Sequence, residues 1–184
     1  MMKKFFIIFL FFIFTHAANA GDKQTFELNN LFAQLKALNN SLEAKKVEDK
    51  IWKLWITHPS EDSLTELLAK GSEYMMQNQL TSAHNVFSKV IELDPKWAEG
   101  WNKRATVLYI MGNFELSQKD IDMVLSLEKR HFGALSGQGL VQTALQNYER
   151  AIDSYKEAHK IYPSSQSTLQ MIEQLSILIQ KESI

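Results

Sequence analysis

Between residues 64 and 165 the apolar and small positions repeat in register with themselves 34 residues later. Leu67, Trp101 and Leu135 form one bulky column, followed by a small column of Gly71, Ala105 and Gly139. Leu80, Phe114 and Tyr148 form another bulky column, and Ala83, Ser117 and Ala151 a second small one. Phe87, Ile121 and Tyr155 are large, and Pro95, Lys129 and Pro163 close each period. Within a period the apolar positions follow helical spacing. The pattern therefore predicts two antiparallel helices per 34 residues. The small column lets the pair approach closely, and the large one fills the space to the next pair. Pro ends the second helix because it cannot continue the backbone ladder. Ser63-Leu64-Thr65-Glu66 reads as a capping box opening the first repeat. Asp94-Pro95 reads as a capping acid before a helix-compatible Pro, and Gly112-Asn113 as the turn inside the second repeat.

The flanks carry helical patterns outside this register. Leu28, Leu31, Phe32, Leu35 and Leu38 share one stripe, and Val47, Ile51, Leu54 and Trp55 another. Asn39-Asn40-Ser41 separates them and His58-Pro59 ends the second. This predicts a helical hairpin covering the first repeat. Trp52 lies off the stripe, so a dimerisation surface is the alternative. Leu169, Ile172, Leu175, Leu178 and Ile179 predict a terminal helix over the other open end, with Ile177 pointing elsewhere.

Composition narrows the options. The 184 residues are 45% hydrophobic with 7 Gly and 3 Pro, which argues against an all-β fold and against disorder. The formal charge of −1 and scattered Lys and Arg exclude the footprint of a nucleic-acid binder. No cysteine is present, which removes disulfides, thiolate metal sites and a Cys nucleophile. The histidines lack metal-ligand spacing, no Ser sits in a nucleophile elbow, and Asp120 and Asp122 diverge on a helix. Neither catalysis nor a cofactor is expected.

The first twenty residues have the form of a signal peptide. Lys3 and Lys4 precede the apolar run Phe5 to Phe14, and Ala18-Asn19-Ala20 fits small-x-small cleavage before Gly21. The run is shorter than the roughly 20 residues of a spanning helix. Export to the periplasm with no stable membrane span after cleavage is the expectation; an uncleaved anchor is the alternative.

Three tandem periods carrying Leu67, Gly71, Tyr74, Ala83, Phe87 and Pro95, then Trp101, Ala105, Gly112, Phe114 and Leu125, then Leu135, Gly139, Tyr148, Ala151, Tyr155, Ala158 and Pro163 resemble the tetratricopeptide repeat family. Val90 and Val124, Ser117, and Lys129 depart from its pattern. Ala98 to Thr106 and Arg130 to Gly137 look like segments of exported bacterial members with no assigned activity. The resemblance implies an all-α, right-handed superhelical solenoid. The chain then divides into residues 1–20 (signal peptide), 21–63 (hairpin cap), 64–97, 98–131 and 132–165 (three repeats) and 166–184 (capping helix).

In that architecture the first helix of each repeat lines a concave groove. Its expected lining includes Ser72, Met76, Glu99, Asn102, Lys103, Thr106, Tyr109, Gly133, Ser136, Gly137 and Leu140. This mixed surface suits an extended peptide or an amphipathic helix of a protein partner. The carboxylate-clamp columns of the family fall on Leu68, Ser72, Lys103, Gly133 and Gly137, where only Lys103 could serve, so no clamp is expected. Gly133 and Gly137, four apart on one helix, suggest a close approach by a neighbouring helix or by a partner backbone. Arg104 is expected to pair with Asp120. Arg130 and His131 are placed to contact an anionic group at a helix N-terminus or, alternatively, to cap the helix and pair with Glu128. The expected function is a non-catalytic scaffold of the cell envelope; self-association through Trp52 and Ile177 is the alternative, and a ligand-binding or enzyme-subunit role a further one.

Overall fold

The computed structural model describes the backbone of residues 2–182 and the side chains of residues 20–181. The predicted signal segment therefore lies almost wholly outside the described side chains. Among the described residues there are helices and no strands: α1 (Met2–Ala37), α2 (Ser41–Trp55), α3 (Asp62–Met76), α4 (Leu80–Leu93), α5 (Ala98–Ile110), α6 (Phe114–Leu127), α7 (Phe132–Ala144), α8 (Tyr148–Ile161) and α9 (Gln166–Glu182). No helix among these residues is long and apolar enough to cross a membrane.

Helices α3 to α8 form three antiparallel pairs, stacked in order, with α9 against α8. The pairs close through matched columns. A Cβ on Gly71 would stand 2.5 Å from the ring of Phe87, and one on Gly139 would stand 2.5 Å from that of Tyr155. Where the second helix offers the slimmer Ile121, the first carries Ala105 instead. Ala83 and Ala151 are fully enclosed in their pairs; Ser117, in the same column, donates its hydroxyl to the Ala105 carbonyl at 2.8 Å, which satisfies an otherwise costly buried polar group.

The turn inside each pair also repeats. Asn78, Gly112 and Gln146, 34 residues apart, have φ of 57°, 77° and 60°. Each sits in a Schellman closure: the amides of Gln79, Asn113 and Asn147 reach back to the carbonyls of Tyr74, Leu108 and Gln142. Only the second repeat uses Gly, the residue with no left-handed penalty.

Two helix starts differ from the sequence reading. α3 begins at Asp62 and makes no side-chain cap bond, so Ser63 does not open it. Instead His58 Nδ1 accepts the amides of Ser60 and Glu61, and Thr65 accepts the His58 amide. Asp94 ends α4 rather than starting α5; its carboxylate accepts the Lys96 amide in the connecting turn.

The larger difference concerns the N-terminal hairpin. It was expected over the first repeat. Its apolar face instead packs across the third: Leu28, Leu31, Phe32, Leu35, Val47, Ile51 and Trp55 form one core with Phe132 and Tyr162. Only its end reaches the first repeat, where the Trp97 indole donates to the Trp55 carbonyl at 3.0 Å. The physical reason is complementarity of shape. Trp52 is a knob and Gly133 the hole: its ring would lie 2.5 Å from any Cβ there. Trp52 is thus satisfied inside the chain, and the dimerisation reading loses its main motive.

Candidate functional site

The first helices of the repeats, α3, α5 and α7, carry the expected groove residues, and the hairpin divides them into two sets. The covered set centres on Glu99, which is 1% exposed. Its carboxylate accepts from Asn102 Nδ2 at 3.0 Å, lies 3.4 Å from Lys103 Nζ, and meets His131 Nε2 at 3.2 Å. His131 Nδ1 accepts the Ala134 amide, capping α7, so the proton of a neutral ring lies on Nε2, toward Glu99. The ring stacks on Trp55 at 3.8 Å and 7°. Burial alone would raise the Glu99 carboxyl, but His131, Lys103 and Asn102 outweigh it and hold it below the ordinary value.

This corrects one expectation. His131 is fully enclosed and cannot reach an external anion. Arg130 is bound to both oxygens of Glu128 at 2.9 and 2.7 Å, donates to Asn29 at 2.7 Å, and lies over the Phe32 ring. The pair caps and docks the hairpin. Burial raises the Glu128 carboxyl, and its bonds to Arg130 more than reverse that, leaving it below the ordinary range. Gly133 is likewise taken by Trp52, and Asn102 is buried.

The open set lies on the other side of Gly133. Thr106 and Leu140 are exposed, and Tyr109 and Gly137 are half-buried. They surround a niche of about 60 Å³ floored by Ala105, Ile121 and Ala134. Met76 is 78% exposed, while Ser72 is half-buried and bonds back to the Leu68 carbonyl. Lys103, the one cation among the clamp columns, is engaged with Glu99, and Leu68 is buried. Ser136 stands apart from both sets; it lines a cleft of about 430 Å³ between α2 and the α8–α9 junction.

Arg104 and Asp120 pair as the repeat columns suggest, through two bonds of 2.7 and 2.8 Å, with Ser88 and the Trp101 face completing the guanidinium's surroundings. The Glu99–His131–Trp55 stack was not anticipated. Its one sequence signal was the cluster Glu99, Asn102 and Lys103 at helical spacing, which read as exposed groove chemistry.

No family model matches the chain. A TPR repeat-containing protein of Rhizobium etli is 30% identical over 159 residues, which is 86% of this chain and 77% of that protein. Hsp70-Hsp90 organizing protein 1 of Glycine max is 26% identical over 149 residues, and the chain spans 25% of its length. Among solved structures, the first TPR of Spaghetti, bound to an HSP90 peptide, superposes with a TM-score of 0.62 at 21% identity, over 64% of this chain and 93% of that one. That likeness concerns the fold.

Proposed function

Because the chain belongs to the tetratricopeptide repeat family, we propose that it is a non-catalytic protein-interaction module of the cell envelope, which holds a segment of a partner protein in the open part of its groove. The observation that carries this reading is the niche between α5 and α7, where exposed Thr106 and Leu140 flank the half-buried Tyr109 over an apolar floor. A space of about 60 Å³ accepts one small apolar side chain, and the surrounding lining offers hydroxyls and the Asn102 amide rather than charge. The HSP90-peptide complex of the Spaghetti domain supports peptide capture as a use of this fold. The mode here differs, since Lys103 is already paired with Glu99 and no carboxylate clamp remains. The signal-like segment of residues 1–20 supports the envelope location.

The test is photocrosslinking in cells from Thr106 and from Leu140, with Met123 on α6 as control. The reading requires the same protein adduct at both groove positions, absent at Met123 and lost with Tyr109→Ala. Adducts equal at all three positions would count against it. Fractionation of the cells during the same experiment tests the location: recovery of the chain in the cytoplasm would remove the envelope from the proposal.

A further inference from the structure

The second cavity has different chemistry. The 430 Å³ cleft lies between α2, the start of α7 and the α8–α9 junction, and among its lining residues it shares only Gly133 with the groove niche. Its size falls in the range of small-molecule pockets, about 300–1,000 Å³. We propose that it binds a neutral polyhydroxylated ligand, a sugar of one or two units.

Several observations converge. Ser164 lines the cleft as a residue 9% exposed, and its hydroxyl oxygen, buried behind the cleft wall, has no hydrogen-bond partner in the protein. A buried hydroxyl without a partner is uncommon and calls for one. The first turn of the 17-residue α9 opens beside it, with Gln166, Ser167 and Thr168 among the lining residues. Ser165 Oγ is bonded to Ser167 Oγ, and Thr168 Oγ1 donates to the Ser165 carbonyl and meets His159 Nδ1 at 3.3 Å, so these hydroxyls already have partners within the chain. The helix-start amides are donors suited to a ligand oxygen.

Charge selects against an ion. Lys45 and Glu48 face each other at 3.1 Å on the cleft wall, and Lys45 also meets Asp49 at 2.9 Å just outside it. Glu48 in addition accepts from the Trp52 indole and the Tyr162 hydroxyl. The wall therefore presents one donor cation and one acceptor anion held together. A free anion meets Glu48 and Asp49, and a free cation meets Lys45 and the positive end of α9. A ligand with both donor and acceptor hydroxyls uses all of them. Trp52, Phe132 and Tyr162 supply aromatic wall for the C–H face of a pyranose ring.

The proposal is independent of peptide capture, and its test separates the two. The full chain is titrated with N-acetylglucosamine and with methyl β-glucoside, and in parallel with acetate and inorganic phosphate, while backbone amides and the Trp52 indole are followed by NMR. The expected result is saturable displacement of the Ser167, Thr168 and Trp52 indole signals by at least one of the sugars. Ser136→Tyr, at the cleft wall, should abolish it with the circular dichroism spectrum unchanged, and Ser164→Ala should weaken it by about threefold or more. Leu140→Ser should leave it intact. Absence of saturation, saturation by acetate or phosphate with the sugars silent, or undiminished sugar binding in a folded Ser136→Tyr chain would each overturn the assignment.

Discussion

The two stretches of groove on either side of Gly133 are built from the same repeat columns, yet one is interior and the other is surface. On the covered side, Glu99 and His131 have become a buried polar pair roofed by Trp55 and Trp52. On the open side, Thr106 and Leu140 remain in solvent around a shallow niche. The repeat alone does not decide which stretch a partner can reach. A non-repeating element decides it, by occupying the stretch where its own side chains fit.

That contrast can be broken most directly at Trp52. Trp52→Ala empties the contact with Gly133, Trp55, His131 and Phe132, and should cost about 3–5 kcal/mol in urea unfolding. Tyr109→Ala, at the open side, should cost markedly less. Equal losses would mean that the hairpin is not seated as described.

Acid should act next, on the covered side. The Glu99 and Glu128 carboxyls both lie below the ordinary value of 4.5 in the folded chain. A depressed carboxyl binds its proton more readily in the unfolded chain, so its contribution is complete above 4.5 and is lost as pH falls through the folded value. Unfolding midpoints should therefore drop below that pH, and Glu99→Gln should flatten the drop while lowering the neutral-pH midpoint. A profile unchanged by Glu99→Gln would place the acid sensitivity elsewhere.

The finest comparison uses two glycines four residues apart. Gly133→Ala puts a methyl into the Trp52 ring and should destabilise by about 1–3 kcal/mol. At Gly137 the nearest atom to an added Cβ is Ile121 Cδ1 at 3.7 Å, an ordinary contact, so Gly137→Ala should gain about 0.5–1 kcal/mol of helix propensity. Opposite signs support the division; the same sign would erase it.

Much of this was legible in the chain because stacked pairs touch only their neighbours, so each contact recurs at a fixed period. The match of Gly71 with Phe87, of Gly139 with Tyr155, and of Arg104 with Asp120 follows from columns. The seat of the hairpin has no period. Trp52 stood out as a large residue off its stripe and Gly133 as a small one in a helix, but nothing in the order of residues joins a knob to a hole 81 positions away. The cleft beside α9 was hidden for the same reason, since it exists only once α2 lies across the third repeat. Ser136, assigned to the peptide groove on its column, faces that cleft instead.

The hairpin's position has a consequence in time. Arg130 reaches Asn29 across 101 residues, and Tyr162 reaches Glu48 across 114. The repeats can assemble one on the next through local contacts, which form early because little loop entropy opposes them. The hairpin leaves the ribosome ahead of the repeats, but its apolar face has no seat until the third repeat is made. Its apolar stripe is thus the last to be sheltered. For that interval the newborn chain displays Leu28, Leu31, Phe32, Leu35 and Trp55 to whatever accompanies it.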